Sequence, residues 1–367
     1  MSRLRVGLVF GGPSVEHEVS VVSARGVSKA LDRSRFEVVP LGVTGGGRWH
    51  SPEDSGRVLD SGAARVDGDA AAARVLVDPG SGGLVVHAEG GAPHRLALDV
   101  VFPVMHGWGG EDGRLQGLLD LALIPCVGPG VLGSAVGMDK QVAKALFEQA
   151  GIPVGPWRAL HRGAWEADRA AHARRLVAEL GTPLFVKPAN GGSSVGISKV
   201  RAPEEIDAAL ALAFSLDRKV VIERGLDARE IECAVLGNDR PAVSVCGEIV
   251  PSREFYDYAS KYQDGTSRLA IPAPLDPGVS DRIRALAAAA FRALDLSGMA
   301  RVDFFLEKAD GGVFLNEVNT LPGFTPISMY PKLWEASGLP YPDLLARLID
   351  LARERFEDAG SRRTRRD

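Results

Sequence analysis

The stretch FVKPANGGSSVGISKV, residues 185–200, decides the fold prediction. Its apolar ends predict two strands, and its glycine- and serine-rich centre predicts a loop between them. That loop offers flexible backbone N–H groups, the hydroxyls of Ser193 and Ser194, and the ammonium group of Lys187, which together suit a polyphosphate. The pattern is not a Walker A loop, because no lysine follows the glycines and a strand rather than a helix comes next.

An ordinary glycine-rich hairpin is the alternative explanation of this loop. It accounts for Gly191 and Gly192, but not for the position of Lys187 inside an apolar strand. The chain prefers arginine, with only nine lysines among 43 basic residues, so a lysine in such a place favours a specific contact. Lys140 raises the same question at the start of a predicted helix, MDKQVAKALFEQAGIP.

The regions on either side of this loop predict an α/β protein. Upstream, RVGLVFGG predicts a buried parallel strand, which a helix at about 19–31 and a second strand, FEVVPLGV, follow. Residues 44–93 are rich in Gly, Ala and Asp and predict loops and short edge strands before the next buried strand, ALDVVFPVM. Downstream, KVVIER predicts a strand, ARVDFFLE and VFLNEV predict a hairpin around KADGG, and a helix is expected at about 341–356.

Length and composition exclude several classes of protein. A chain of 367 residues suggests two or three domains, and its 45% hydrophobic content and net charge of -4 make nucleic acids and membranes poor partners. No apolar run approaches the ~20 residues that span a bilayer, and Val6–Phe10 is too short for a signal peptide, so we expect the cytoplasm. The spacing of Cys126, Cys233 and Cys246 predicts buried structural thiols.

The hairpin around residue 310 carries a group of polar side chains. Residues two apart on a strand share a face, and a turn centred there places Asp303 opposite Glu317 and Arg301 near Asn319. Hard oxygen ligands without histidine or thiolate select magnesium, which usually shares its shell with phosphates when few carboxylates bind it. A solvated sheet face is the alternative.

Further polar residues follow predicted strands. Glu16, in GGPSVEHEVS, lies where open α/β sheets place ligands, although the GxGxxG pattern of dinucleotide folds is missing. Its carboxylate could bind a substrate ammonium group or simply cap a helix. His106, in HGWGGEDG, carries the same ambiguity, and Glu223 and Glu230 flank a strand end where they could be surface charges.

Seven blocks taken together resemble the D-alanine:D-alanine ligases of the ATP-grasp superfamily. In order between about residues 6 and 341 they are GGPSVEHEVS, HGWGGEDG, GMDK, FVKPANGGSSVGISKV, EFYDYASKY, ARVDF and NEVNTLPGFTPISMYPKLWEASG. The resemblance implies a three-domain α/β ATP-grasp architecture with a Rossmann-like N-terminal domain and ATP between the other two. The implied units are 1–138 with the first D-alanine site, 139–222 with the phosphate-binding lid, 223–356 with the adenine, magnesium and oxyanion sites, and a flexible tail at 357–367.

The resemblance also implies site residues, each by its position in these blocks. The nucleotide contacts are Lys140, Lys187, Ser194, Glu223, Glu230 and Lys261. The ligands of Mg²⁺, with two ions expected and Mn²⁺ as a substitute, are Asp303, Glu317 and Asn319. The residues at the D-alanine sites are Glu16, His106, Ser193, Tyr262, Arg301, Gly323, Ser328 and Met329.

Within these sets, the resemblance suggests a role for several side chains. Glu16 holds the ammonium group of the first D-alanine, and Arg301 and the Gly323 N–H stabilise an oxyanion. Ser328 helps to bind the second substrate. Tyr262 and Ser193 hydrogen-bond with Glu16 and close the loop that bears Lys261 over the reactants.

The implied activity is ATP-dependent ligation of two D-alanine molecules through a D-alanyl phosphate, which supplies peptidoglycan precursors. Relatives that make D-alanyl-D-lactate depart from tyrosine at the position of Tyr262, so this residue favours an amine as the nucleophile. One alternative is another ATP-grasp carboxylate:amine ligase, or a ligase with D-lactate or D-serine as acceptor. A nucleotide-binding regulatory module without turnover is a second. The family also implies a homodimer.

Overall fold

The computed structural model describes residues 3–67, 73–78, 83–88, 92–250 and 268–361. The strands of the N-terminal region are β1 (Leu4–Gly11), β2 (Phe36–Val43), β3 (Ala73–Asp78), β4 (Gly83–Ala88), β5 (His94–Ala97) and β6 (Val100–Pro103). Its helices are α1 (His17–Ala30), α2 (Pro52–Ser61), α3 (Arg114–Leu121) and α4 (Val131–Met138). β1 lies between β2 and β6 in a parallel sheet, and β3, β4 and β5 form a separate antiparallel sheet.

The predicted parallel α/β opening of the chain is confirmed. β1 is buried on both faces, with Val6 and Leu8 in one core and Val9 in another, as expected of a covered parallel strand. Gly11 ends the strand with a φ of 87°, and a Cβ there would collide with the Val43 carbonyl. The chain then turns into α1, which places the residues before that helix at the carboxyl edge of the sheet.

The prediction for residues 44–93 was wrong in one respect, because this stretch contains the helix α2. The Ser51 side chain caps it by accepting a 3.1 Å hydrogen bond from the Asp54 N–H, Pro52 occupies the first turn, and Gly62 follows in a left-handed conformation. These are ordinary helix start and stop signals. The glycine- and alanine-rich composition around them concealed the pattern. The expected short strands are present as β3 and β4.

The middle of the chain forms an antiparallel sheet of order β7-β10-β8-β9. Its strands are β7 (Trp157–His161), β8 (Leu184–Pro188), β9 (Ser198–Val200) and β10 (Lys219–Arg224), so the predicted strands around the glycine-rich loop are confirmed. The helices here are α5 (Lys140–Gln149), α6 (Arg162–Ala167), α7 (Arg169–Leu180) and α8 (Ile206–Leu216). A 3-10 turn, Pro203–Glu205, precedes α8. The division of the chain at residues 138 and 222 stays a prediction.

The C-terminal region contains an antiparallel sheet of order β13-β12-β11-β14-β15. Its strands are β11 (Ala228–Gly237), β12 (Ala242–Val250), β13 (Arg268–Ala270), β14 (Gly298–Glu307) and β15 (Val313–Asn319), and its helices are α9 (Pro277–Ala293), α10 (Met329–Ala336) and α11 (Tyr341–Ser361). α9 covers one face of this sheet together with α5, whose Ala143 and Phe147 enter the same core. α5 therefore packs on the C-terminal sheet, although in the chain it comes directly before the strands of the central sheet.

The last helix is longer than expected. α11 continues to Ser361, so the prediction of a flexible tail from residue 357 was wrong for residues 357–361, and residues 362–367 lie outside the described part of the chain. In this last part of α11, Arg353 and Glu357 form an i,i+4 ion pair, which suits a helix.

A continuous core joins the N-terminal sheet to α10, α11 and the C-terminal sheet. Phe324 lies at its centre, with ring centroids 5.6 Å from Phe102 and 5.8 Å from Tyr330, both in edge-to-face geometry. This packing fixes the loop between β15 and α10 against α1. Within the described ranges, no helix has the length and apolar character needed to cross a bilayer.

Candidate active site

The glycine-rich loop meets Glu16 at the edge of the N-terminal sheet. Glu16 is buried, and the Ser193 hydroxyl donates a hydrogen bond to its Oε1. A Cβ at Gly107 would lie 2.9 Å from Glu16 Oε2, and one at Gly192 would lie 3.0 Å away, so a side chain at either position would displace the carboxylate. The predicted contact between Ser193 and Glu16 is therefore present.

His106 lies beside this carboxylate and is buried. Its Nδ1 donates to the Leu321 carbonyl at 3.1 Å and lies 3.8 Å from Glu111 Oε1, and its Nε2 lies 3.5 Å from the Ser23 hydroxyl. Burial alone would lower the pKa of His106. The hydrogen bond and charge of Glu111, the charge of Glu16 and the Leu321 carbonyl outweigh burial and raise the pKa. These contacts therefore stabilise the imidazolium form relative to that of a free histidine.

The loop itself has a strained backbone that suits an anion. Ser193 and Ser194 have φ values of 47° and 60°, in the left-handed region, where non-glycine residues cost about 1–3 kcal/mol each. At the base of the loop, the Asn190 N–H and side-chain amide both donate to Asp217 Oδ2, at 2.8 and 3.0 Å. Successive N–H groups in such turns form anion-binding concavities. The loop is thus anchored at its base and bent at its tip.

Buried lysines and Glu223 form an ion-pair group beneath this loop. Lys187 Nζ donates to Glu223 Oε2 at 2.7 Å, and Lys144 Nζ lies 3.0 Å from Glu223 Oε1. Burial alone would raise the pKa of Glu223, but the two lysines lower it to about 2. The Glu223 carboxylate therefore stays charged in the interior, because a cation stands at each of its oxygens.

Lys140 and Lys187 lie close enough to interact, and their pKa values shift in opposite directions. Burial, with the neighbouring Lys187 and Lys144, lowers the pKa of Lys140 despite the opposing charges of Glu317 and Glu223. For Lys187, burial is outweighed by Glu223 first, then Glu317, and the pKa is raised. Lys140 Nζ also donates to the Gly191 carbonyl at 2.5 Å, so this lysine reaches the glycine-rich loop.

The hairpin of β14 and β15 has the predicted register, with Asp303 opposite Glu317 and Arg301 opposite Asn319. Arg301 Nε and Nη2 donate to the two oxygens of Asp303 at 2.8 and 2.7 Å. The Asn319 side-chain amide donates to Asp303 Oδ2 at 2.9 Å. Burial alone would lower the pKa of Arg301, but the nearby carboxylates raise it well above its ordinary value. The guanidinium is permanently charged.

These oxygens fit a hard divalent cation that phosphates also bind. Two carboxylates and one amide, from Asp303, Glu317 and Asn319, share a sheet face that carries neither imidazole nor thiolate. Among the described residues, no group of three or more His, Cys, Asp or Glu side chains could hold a metal. A cation at this face therefore needs oxygens from a ligand as well, which is typical of magnesium with a nucleotide.

The loop after β15 carries the remaining predicted residues. The Thr325 N–H donates to the Ser328 hydroxyl at 2.9 Å, and a Cβ at Gly323 would lie 2.7 Å from that same hydroxyl. Gly323 and Ser328 are therefore neighbours in space. The Met329 side chain is buried at the start of α10, 3.1 Å from the position of a Cβ at Gly247, so it packs in the core.

Comparisons with known proteins match this architecture over nearly the whole chain. A family model described as the D-ala D-ala ligase N-terminus matches residues 5–129, and one described as the D-ala D-ala ligase C-terminus matches residues 146–350. The chain belongs to the D-alanine:D-alanine ligase family. A D-alanine--D-alanine ligase A of Chromobacterium violaceum is 52% identical, with 99% of each chain covered, and a D-alanine--D-alanine ligase of Halothermothrix orenii is 48% identical, with 96% of this chain and 99% of the relative covered.

Solved structures of the ligase family agree with the fold. The D-alanine-D-alanine ligase from Coxiella burnetii superimposes with a TM-score of 0.83 at 36% identity, covering 98% of this chain and 97% of its own. The VanG D-Ala:D-Ser ligase from Enterococcus faecalis gives a TM-score of 0.82, also at 36% identity, covering 96% of this chain and all of its own. The predicted α/β ATP-grasp architecture is thereby confirmed.

Several residues of this ligase site were missed by the sequence reasoning. Glu111, which raises the pKa of His106, follows it by five residues in the motif HGWGGEDG, and its carboxylate was not among the predicted site residues. Glu232 lies opposite Asp303 on β11, with its Oε2 3.0 Å from Arg301 Nε. Lys144 falls four residues after Lys140, one helical turn along α5, which is the only local signal for it.

Two predicted residues fall in a segment outside the described part of the chain. Lys261 and Tyr262 lie between residues 250 and 268, so their roles stay predictions. Glu230 lies on β11 opposite Phe305, and its charge contributes to raising the pKa of Lys187. Its position near the lysines is compatible with the predicted nucleotide contact.

Proposed function

We propose that this chain ligates two D-alanine molecules with ATP and releases D-alanyl-D-alanine, ADP and phosphate. The observation that carries the proposal is the hydrogen bond from Ser193 to Glu16. It brings a loop suited to phosphate against a buried carboxylate suited to an ammonium group. A γ-phosphoryl group and an amino acid would thus meet at one place.

The nucleotide would lie between the central and C-terminal sheets. We assign its phosphates to Lys140, Lys187 and the backbone and hydroxyl of Ser194, because two lysine cations, of which Lys187 is buried, and a bent loop converge there. Glu223 and Glu230 are assigned to the adenine and ribose. Lys187 contacts Glu223 in this structure, so phosphate binding requires it to exchange at least part of that ion pair.

The magnesium site that we propose consists of Asp303, Glu317 and Asn319. These oxygens fit Mg²⁺, with Mn²⁺ able to substitute, and the small number of carboxylates leaves coordination positions for phosphate oxygens and for a second ion. The metal would neutralise charge on the transferring phosphoryl group.

The residues of this chain support a two-step reaction. The carboxylate of the first D-alanine, held through its ammonium group by Glu16, attacks the γ-phosphorus and expels ADP, which yields D-alanyl phosphate. The neutral amine of the second D-alanine, near Ser328, then attacks the acyl carbon and phosphate leaves. Arg301 and the Gly323 N–H face the developing oxyanion. The loop at 191–196, with Tyr262 and Lys261, excludes water that would hydrolyse the intermediate.

Two observations bear on the identity of the acceptor, the second substrate. Tyr262 favours an amine over a hydroxyl, whereas the similarity to a D-Ala:D-Ser ligase leaves D-serine as the second candidate. The test is phosphate release from ATP and D-alanine, alone and with D-serine, D-lactate or L-amino acids, with the product identified by mass spectrometry. D-Alanyl-D-alanine as the main product supports the proposal. A different main product reassigns the acceptor, and no turnover with any of them favours a regulatory nucleotide-binding role.

We also propose that the protein is a cytoplasmic homodimer with the three predicted domains. Exposed apolar side chains lie on and beside α3 and α4, where Val131 Cγ2 is 3.8 Å from the position of a Cβ at Gly117. They are Leu118, Leu121, Leu123, Val131 and Leu132. A patch of this kind fits a second copy of the chain. Light scattering of Leu121→Asp should give a monomer where the wild type gives a dimer; a monomeric wild type would remove this part of the proposal.

A further inference from the structure

Lys144 is a buried lysine for which the proposed reaction has no use. It lies on α5, and only 3% of its surface is exposed. Its Nζ is 3.0 Å from Glu223 Oε1 and donates to the Asn316 carbonyl at 3.4 Å. One side chain thus joins a helix, the end of β10 in the central sheet and β15 in the C-terminal sheet. Burying a cation is costly, and this lysine is compensated mainly by Glu223.

The carbonyl that Lys144 contacts belongs to an irregular residue of β15. Asp303 pairs with Glu317 and Phe304 pairs with Leu315, so Asn316 is the extra residue of a β-bulge. Bulges redirect the side chains next to them, and here the neighbour is Glu317. Lys144 therefore connects the carboxylate on the adenine side of the site with the strand that carries the magnesium ligands.

The charges around Glu223 explain why two lysines are needed. Lys187 pairs with one oxygen and Lys144 with the other. In the proposed function Lys187 moves toward the phosphates. Without a second cation, that movement would leave a buried carboxylate unpaired, which is strongly unfavourable. Lys144, which is buried and also donates to the Asn316 carbonyl, keeps Glu223 compensated throughout.

We propose that Lys144 is a positioning residue that holds Glu223 in place and so allows Lys187 to transfer from Glu223 to the phosphates of ATP. This inference rests on the proposed nucleotide site. In this arrangement Lys144 strengthens ATP binding because Glu223 is charged. A lysine that merely packs between sheets would matter equally whether Glu223 carried a charge or not.

The test is a double-mutant cycle with Lys144→Met and Glu223→Gln, measured as the Kd for ATP by calorimetry and as KM and kcat. Lys144→Met alone should weaken ATP binding by about tenfold or more, since it leaves Lys187 locked to a buried anion, and should leave the KM for D-alanine near the wild-type value. In the Glu223→Gln background, Lys144→Met should have little further effect. An equal loss of ATP affinity in both backgrounds would overturn the inference.

Two controls keep the outcomes separate. Lys308→Met removes an exposed lysine that pairs with Asp227 at 2.6 Å, away from the site, and should bind ATP like the wild type. If Lys144→Met fails to fold, the double variant, which removes both charges, is compared with Glu223→Gln alone: equal ATP affinity supports the inference and a further loss overturns it. Absence of D-alanine-dependent turnover in the wild type would refute the proposed function, whereas the ATP binding cycle tests Lys144 independently.

Discussion

Substitution of Arg301 should affect both catalysis and stability, and the two effects can be measured separately. Its guanidinium contacts Asp303 on its own strand and Glu232 on the neighbouring strand, and both carboxylates are buried. In Arg301→Met we expect kcat for dipeptide formation to fall by about 10²- to 10³-fold, the typical cost of removing one oxyanion donor. ATP should still bind, because the proposed phosphate contacts are lysines elsewhere in the site.

The same substitution should also destabilise the fold. Removing one partner of a buried ion pair costs roughly 3–5 kcal/mol. The Arg301 side chain is 20% exposed, so solvent screens part of the interaction and the lower end, about 3 kcal/mol, applies. In a chain of this size that corresponds to a melting temperature lower by roughly 5 °C. Adding Glu232→Gln removes the negative charge of one of the two carboxylates that Arg301 contacts and should restore much of the lost stability.

The assay compares wild type, Arg301→Met, Glu232→Gln and the double variant. Steady-state phosphate release gives kcat, calorimetry gives the affinity for ATP, and thermal melts give stability. We expect the double variant to regain melting temperature but not kcat, because the guanidinium of Arg301 is still missing from the oxyanion and only the Gly323 N–H remains. Recovery of kcat together with stability would show that Arg301 acts only through the fold. An unchanged kcat in Arg301→Met would remove it from the reaction altogether.

Three further substitutions test other parts of the site. Glu317→Gln removes a proposed magnesium ligand, so the Mg²⁺ concentration for half-maximal activity should rise about tenfold or more in a titration. Ser193→Ala removes the hydroxyl that donates to Glu16, so parallel assays should detect more phosphate released per dipeptide, as water reaches the acyl phosphate. Glu111→Gln removes the carboxylate that raises the pKa of His106, and NMR titration should show a lower pKa. Because the pKa of His106 is raised in the folded protein, protonation of His106 stabilises the fold. This contribution to the free energy of unfolding is fully present below the ordinary pKa of 6.5 and is lost as the pH rises through the folded pKa.

Each of these expectations has a contrary result. An unchanged Mg²⁺ requirement in Glu317→Gln would exclude this residue as a ligand. A ratio of one phosphate per dipeptide in Ser193→Ala would mean that other groups keep water out. If the stability of wild type and Glu111→Gln differed by the same amount on both sides of the His106 titration, Glu111 would act there without regard to charge.

Features that depend on local patterns were predictable from the sequence. A hairpin turn near residue 310 was predicted from the two apolar strands around KADGG, and Asp303 was correctly placed opposite Glu317. The pairs next to the turn, from Leu306–Val313 to Phe304–Leu315, would by themselves place Asp303 opposite Asn316, and the bulge that shifts the register to Glu317 was not predicted. The contact of Ser193 with Glu16 came from resemblance alone, since it joins residues far apart in the chain.

Features that depend on distant packing were not predictable. Lys144 is four residues from Lys140, but its role depends on α5 packing against the C-terminal sheet while it reaches β10. Glu232 acquires its role only because β11 lies next to β14. Neither neighbour relation can be read from one sequence. Helix α2 is a different case, because its capping signals at Ser51 and Pro52 were present and were overlooked.

The central claim is that ATP activates the carboxylate of D-alanine as an acyl phosphate. It is tested most directly with D-alanine carrying ¹⁸O in its carboxylate, incubated with ATP, Mg²⁺ and the enzyme, followed by mass spectrometry of the released phosphate. Attack of the carboxylate on the γ-phosphorus places that oxygen in the phosphate, so one ¹⁸O per phosphate is the predicted result. Dipeptide formation with unlabelled phosphate would contradict the account.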